Sequence, residues 1–89
     1  MTKNDKIRNN KIAELGCSLC RHQGTPGTPA ELHHIRRTSK RSNAPVIPLC
    51  PAHHRYDTGI HGMGRKRFER EYAITEEELL EQTKELLGE

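Results

Sequence analysis

Cysteine and histidine residues with metal-ligand spacing stand out in this chain of 89 residues, which contains three Cys and six His. One set consists of Cys17 and Cys20, followed thirty residues later by Cys50 and His53 with the same separation. Zinc in structural sites prefers four tetrahedral thiolate or imidazole ligands, and two ligands separated by two residues can bind one ion from a single turn. The first set therefore predicts a closed structural zinc site, in which His54 could take the place of His53.

A second set contains only histidines: the adjacent pair His33 and His34, then His54 and His61. Adjacent side chains on a strand point to opposite faces, but at a strand end both can reach one site. There, one imidazole could bind a metal while the other moves a proton. Three imidazoles around an ion with a free coordination position are typical of a catalytic centre. The second set therefore predicts an open metal site, and His22 has no assigned role.

The composition predicts one small domain, residues 1–89, which burial alone stabilises poorly. Only 31% of the residues are apolar, and the aromatic residues are one Phe and two Tyr. A core of this size supplies roughly 3–5 kcal/mol. Three cysteines cannot all pair in disulfides, whereas a zinc site with three Cys and one His uses all of them. With no membrane span and no signal-peptide core, we expect a cytoplasmic protein that does not associate with a membrane.

The charge is distributed unevenly along the chain. Residues 1–70 carry fourteen Lys and Arg against five Asp and Glu, a balance of +9, whereas residues 71–89 carry one Lys against seven Glu, a balance of −6. All the candidate metal ligands lie in the basic part. A basic surface around a site favours a polyanionic partner, of which nucleic acid is the commonest. The alternative is an ordinary solvated surface.

Short helices and short strands must position these residues, which is an α+β pattern. The apolar spacing predicts a helix over 3–15, and the glycines and prolines of 21–30 predict a loop. We expect two short strands at 31–35 and 46–49, joined by a basic loop. Pro48 restricts the second strand to a sheet edge because proline has no N–H to donate.

Four further segments follow the second strand. A short helix over 52–56 would carry two adjacent histidines, and a glycine-rich turn is expected over 60–64. Two aromatic residues four positions apart share one helical face and predict a helix over 65–72. A Thr-x-x-Glu capping box predicts the start of a final helix over about 75–88.

Three stretches of the chain resemble the HNH nucleases: Cys17-x2-Cys20, His33-His34-Ile35 and the run from Ile47 to His54. More narrowly, that run followed by Asp57-Thr58-Gly59-Ile60-His61-Gly62 and Gly64-Arg65-Lys66 resembles the phage recombination-enhancement nucleases. Those are HNH enzymes that cut DNA together with a bacterial recombinase. The resemblance covers roughly residues 17–72. It implies a zinc-stabilised ββα-metal (His-Me finger) fold, a β-hairpin and a helix that hold one divalent ion, with helices flanking it at both ends.

The resemblance also implies a role for each member of the histidine set. His33, His54 and His61 would hold the catalytic ion. His34 would act as the general base, and Asn43 is the candidate for the residue that orients it. The ion would be Mg²⁺, Mn²⁺ or Zn²⁺, and imidazole nitrogens suit a transition metal better than magnesium.

The implied reaction is hydrolysis of a DNA phosphodiester bond. His34 would take a proton from the water that attacks phosphorus, with the ion neutralising the charge that develops. Basic residues in two groups would hold the DNA backbone; they are Arg36, Arg37, Lys40, Arg41, Arg65, Lys66 and Arg67. DNA and a recombinase filament are the implied partners. The alternative is a non-catalytic zinc module that binds DNA or docks on a DNA-processing protein, which needs the first metal set but not His34.

Overall fold

An antiparallel pair of short strands lies at the centre of the computed structural model, which describes residues 3–35 and 45–89. In this part of the chain, six helices accompany the two-stranded sheet, and the prediction of a small α+β fold is confirmed. The elements are, in chain order, α1 Lys3–Glu14, α2 Ser18–His22, β1 Glu31–His34, β2 Val46–Leu49, α3 Pro51–His54, α4 Ile60–Met63, α5 Arg65–Tyr72 and α6 Glu76–Leu87.

The register of the sheet places the adjacent histidines of β1 against the start of β2. His33 lies opposite Ile47, and His34 lies opposite Val46. All four residues of β2 are buried, because α1, α2 and α6 pack against this strand. The sheet therefore forms the central element against which these three helices pack.

The core is small and mixes apolar side chains with metal-ligand candidates. The largest fully buried apolar members of its main cluster are Leu19, Ile47, Leu49, Phe68 and Leu79. The same cluster contains all three cysteines. Because the thiols lie inside the core, an ion bound there would contribute directly to folding.

Helix α6 begins at the predicted capping box. The Thr75 hydroxyl accepts a hydrogen bond from the Glu78 N–H, and the Glu78 carboxylate accepts one from the Thr75 N–H, each over 3.1 Å. Gly88, with φ of 80°, ends the helix in a left-handed conformation that suits glycine. This placement brings the first residue of α6, Glu76, into the core, where it is buried. Among the residues described, none of the helices has the length and apolarity needed to cross a membrane.

Two local predictions are wrong. The sequence predicts a turn over 60–64, but residues 60–63 form a helical turn in which the Met63 N–H donates to the Gly59 carbonyl over 2.9 Å. The sequence also predicts a loop from residue 21, but α2 continues to His22 because the Arg21 N–H donates to the Cys17 carbonyl over 3.0 Å. In both places a hydrogen bond to the carbonyl of a residue that precedes the predicted segment closes a helical turn.

Candidate metal centres

Cys17, Cys20, Cys50 and His53 converge in the core and are called the cysteine cluster; their candidate ligand atoms all lie within 4.8 Å of one another. The His53 Nδ1 atom lies 3.3 to 3.6 Å from the three sulfur atoms. The Cys20 and Cys50 sulfurs are 3.8 Å apart, much farther than the roughly 2.05 Å of a disulfide. Ligands of one tetrahedral zinc ion lie about 3.5–3.8 Å apart. This cluster therefore could hold a metal ion such as zinc.

The first turns of α2 and α3 supply the four members of the cysteine cluster. Cys17 is the N-cap of α2, and its sulfur accepts a hydrogen bond from the Cys20 N–H over 3.4 Å. Cys50 is the N-cap of α3, and its carbonyl accepts one from the His53 N–H over 3.0 Å. Each pair separated by two residues thus spans one turn, and together the pairs join α2 to α3.

Burial shifts the pKa of two members of the cysteine cluster. It raises the pKa of Cys17 to about 12 and lowers the pKa of His53, because the charged form of each group loses its hydration. A lowered pKa favours the neutral imidazole, which is the form that binds a metal. The thiol has to release its proton when a cation binds, so metal binding there is coupled to proton release.

His33, His54 and His61 form a second group, called the histidine cluster, whose candidate ligand atoms also lie within 4.8 Å of one another. The Nε2 atoms of His54 and His61 are 3.1 Å apart. Nitrogens bound to one ion at ordinary distances lie about 3.0–3.5 Å apart. His33 is buried, His54 is half-buried and His61 is exposed. The cluster is therefore open towards solvent at His61.

An open pocket of about 370 Å³ borders the histidine cluster. Its lining residues are His33, His34, Ile60, His61, Gly64, Arg65 and Glu76. His33 and His34 both reach this pocket although adjacent side chains of a strand alternate, because they lie at the end of β1. The structure thus places the candidate base beside two of the candidate ligands.

Two glycines let α4 pack closely on α3. A Cβ atom at Gly59 would lie 2.6 Å from the His53 carbonyl carbon, and one at Gly62 would overlap the Tyr56 carbonyl oxygen. Side chains do not approach backbone atoms this closely. Gly59 therefore allows the helix that carries His61 to approach the helix that carries His54, and Gly62 allows it to approach the residues that follow α3.

Comparison with protein families gives one match that spans almost the whole chain. Residues 1–88 match the family described as recombination enhancement, RecA-dependent nuclease. The chain belongs to this family. Its similarity to the recombination-enhancement nucleases is thereby confirmed, and the family supports a nuclease that acts in recombination with DNA and RecA-related partners. A comparison with curated proteins gave no match.

In this member of the RecA-dependent nuclease family, two carboxylates that the sequence reasoning missed contact the histidine cluster. Glu76 Oε2 lies 2.6 Å from His33 Nε2, and Glu31 Oε1 lies 3.0 Å from His54 Nδ1. The hydrogen bond with His54, followed by those with Arg55, lowers the pKa of Glu31. A signal existed for Glu31, because residues two apart on a strand share one face, and Glu31 stands two before His33. Residue Glu76 is 43 positions from His33, and no local pattern links them.

The predicted DNA-contacting residues of this family member are described only in part. Arg65 lines the pocket from α5, and Lys66 and Arg67 are exposed on the same helix. His22 is exposed at the end of α2 and belongs to neither cluster. The remaining candidates lie outside the described residues; they are Arg36, Arg37, Lys40, Arg41 and Asn43.

Proposed function

We propose that this protein is a metal-dependent HNH-type endonuclease that hydrolyses DNA phosphodiester bonds in recombination. Residues 1–89 would form one nuclease domain that acts in the cytoplasm of a bacterial or phage-infected cell. The observation that carries the proposal is the convergence of His33, His54 and His61 at a pocket that His34 also lines. The antiparallel pair β1 and β2, followed directly by α3, supports the ββα-metal arrangement of such enzymes.

The cysteine cluster would hold the structural zinc ion. Its three cysteines are at most 8% exposed, so a substrate has no access to an ion that they enclose. Four enclosed ligands are typical of a structural site. Zinc bound there would join α2 to α3 and so position the helix that carries His54.

The histidine cluster would hold the catalytic ion, Mg²⁺, Mn²⁺ or Zn²⁺. Three imidazoles suit a transition metal better than magnesium. When bound, the ion supplies Lewis-acid stabilisation of the negative charge that develops on the phosphate and the leaving oxygen. The exposed His61 lies on the side from which a phosphate group would enter.

His34 would accept a proton from the attacking water. It is half-buried at the end of β1 and lines the same pocket as His33. Because an imidazole exchanges a proton readily near neutral pH, it suits the role of general base. Asn43 would orient His34, as the similarity to HNH enzymes implies.

Basic residues on two segments would hold the DNA backbone. Arg65 lines the pocket, and Lys66 and Arg67 follow it on α5. A second group follows His34 directly in the chain: Arg36, Arg37, Lys40 and Arg41. Contacts of this kind position DNA without reading its sequence. The dependence on RecA in the family's description supports a recombinase filament as the partner that presents the DNA.

Removal of His34 tests the proposal. His34→Ala should lower DNA cleavage by about 10²–10⁴-fold, because it removes the general base, while the fold and the zinc content persist. Cleavage is measured as nicking of DNA bound in a RecA filament, with Mg²⁺, Mn²⁺ or Zn²⁺ added. His22→Ala is the matched control, because His22 is exposed and belongs to neither cluster.

Two outcomes would contradict the proposal. If the His34→Ala variant cuts DNA as fast as the wild type, His34 is not the base. If the zinc-loaded wild type binds the filament but cuts DNA with none of these ions, the nuclease proposal fails. The alternative, a non-catalytic zinc module that binds DNA or docks on a DNA-processing protein, would then account better for the structure.

A further inference from the structure

We infer that Glu76 and Glu31 are positioning residues that determine which nitrogen each histidine offers to the ion: Nδ1 of His33 and Nε2 of His54. The inference rests on the proposed function, since it concerns the ion that the histidine cluster would hold. It predicts opposite tautomers for two members of one cluster.

His33 and Glu76 form a buried pair. His33 Nε2 lies 2.6 Å from Glu76 Oε2, and the two side chains are only 6% and 4% exposed. A carboxylate can only accept a hydrogen bond, so the proton of a neutral His33 lies on Nε2. The lone pair of His33 is then on Nδ1, the nitrogen that remains to bind an ion.

The surroundings of His33 Nδ1 support this assignment. This atom is buried and has no hydrogen-bond partner among the described residues. Buried polar atoms nearly always have a partner. The ring of His33 lies 5.2 Å from the rings of both His54 and His61, measured between centroids. An ion held by the histidine cluster would provide the partner that Nδ1 lacks.

His54 shows the reverse arrangement. Its Nδ1 atom lies 3.0 Å from Glu31 Oε1, and its Nε2 atom lies 3.1 Å from Nε2 of His61. When Nδ1 donates to the carboxylate, Nε2 carries the lone pair and points towards His61. The 3.1 Å separation is that of an N–H···N hydrogen bond in which His61 donates to the His54 lone pair, and a cation shared by the two imidazoles would take the place of that proton. A histidine ligand whose other nitrogen donates to a carboxylate is a common arrangement at metal sites.

The start of α6 holds Glu76 in place. Its N–H donates to Glu69 Oε2 over 2.9 Å, and the capping box fixes Thr75 immediately before it. The positive end of the helix dipole favours an ionised carboxylate at this position. A residue of the final helix can therefore orient a ligand on β1.

Glu31 holds His54 less firmly. Its side chain is 32% exposed and also pairs with Arg55, at 2.7 Å from Oε2. Solvent weakens ion pairs at exposed positions. The Glu31 carboxylate is also shared between His54 and Arg55. Loss of Glu31 should therefore weaken ion binding less than loss of Glu76.

The first test compares the full chain with its Glu76→Gln variant, with Zn²⁺ as the probe ion and a coloured chelator as the competitor. Affinity at the histidine cluster should fall by about 10–100-fold, as for other carboxylates behind a histidine ligand, while the cysteine cluster keeps its zinc. Glu31→Gln should give a smaller loss. Glu77→Gln is the matched control, because Glu77 is the next residue of α6, is exposed and undergoes the same charge change.

The second test needs no variant. With cadmium as the probe ion and nitrogen-labelled histidines, NMR coupling between the metal and the ring should appear at Nδ1 of His33 and at Nε2 of His54. A purely structural pair between Glu76 and His33 would not produce this pattern. The measurement decides the inference even if Glu76→Gln does not fold.

The outcomes separate this inference from the proposed function. Coupling at Nε2 of His33, or equal affinities of the Glu76→Gln and Glu77→Gln variants, would overturn the inference and leave the nuclease proposal standing. A wild-type chain that binds one ion only, at the cysteine cluster, would overturn the proposed catalytic centre and the inference with it.

Discussion

The two ligand clusters include neighbouring residues of α3, His53 and His54, yet their surroundings differ. The cysteine cluster is enclosed in the core, whereas the histidine cluster extends from the buried His33 to the exposed His61 beside a pocket of about 370 Å³. Three buried thiols and one half-buried imidazole supply a full set of four ligands and leave an ion no free position, whereas three ligands beside an open pocket leave one. His53 and His54 are both half-buried, so the ligands that surround each histidine, more than its spacing, decide whether it suits a structural or a catalytic role.

The clusters also differ in what holds their ligands. Backbone turns at the starts of α2 and α3 hold the cysteine cluster. Carboxylates from β1 and α6 contact the histidine cluster, and two glycines allow α4 to approach α3. We therefore expect the cysteine cluster to fail when a ligand is lost, and the histidine cluster to respond to changes in packing as well.

The largest expected effect separates the two neighbouring histidines of α3. His53→Ala should lose the zinc and unfold the chain, because structural zinc contributes on the order of 10 kcal/mol and the core alone roughly 3–5 kcal/mol. His54→Ala should keep the fold and the zinc but lose the second ion and DNA cleavage. Metal analysis and thermal unfolding followed by circular dichroism measure both variants. If the His53→Ala and His54→Ala variants had equal zinc contents and equal melting temperatures, the two clusters would not have the separate roles proposed for them.

A packing change of intermediate size should weaken ion binding at the histidine cluster but not at the cysteine cluster. Gly62→Ala places a Cβ atom against the Tyr56 carbonyl and should cost about 1–3 kcal/mol, as overpacking does. It should also weaken ion binding at the histidine cluster, because α4 carries His61. Thermal unfolding and ion titration measure these effects, and the zinc content of the cysteine cluster is the internal control. A higher melting temperature, as alanine's helix propensity alone would give, would show that the close approach of α4 is not needed.

The smallest expected effect concerns the contact between Tyr72 and His53. The Tyr72 ring packs edge-on against the His53 ring at 5.3 Å, and its hydroxyl donates to the Thr58 carbonyl over 2.6 Å. Tyr72→Phe keeps the ring and loses one hydrogen bond, which should cost about 0.5–1.5 kcal/mol without loss of zinc or of cleavage. Thermal unfolding measures the change. Tyr56→Phe is the control, because it removes the same hydroxyl group from a tyrosine that is 57% exposed. A loss of zinc from the Tyr72→Phe variant would contradict the expectation and would mean that the cysteine cluster is less rigid than its turns suggest.

Elements with a signal between near neighbours were predictable, even where the apolar stripe was only rough. The helix predicted over 3–15 is present as Lys3–Glu14, and the final helix starts at its capping box. The helical turn Ile60–Met63 was not predictable, because glycine ordinarily favours a turn. Gly59 and Gly62 instead allow close packing against α3 and the residues that follow it, which is a tertiary effect.

The identity of the four donors in the cysteine cluster follows from the sequence alone, because two ligands separated by two residues meet within a single helical turn whatever the rest of the chain does. The similarity to nucleases also follows from short motifs. The carboxylates behind the histidines do not: Glu76 reaches His33 across 43 positions. Such contacts depend on how α6 packs on the sheet, and that packing results from burial of apolar side chains throughout the chain. The gradient from the enclosed cysteine cluster to the open histidine cluster has the same origin, since exposure is a property of the folded surface and not of any local pattern.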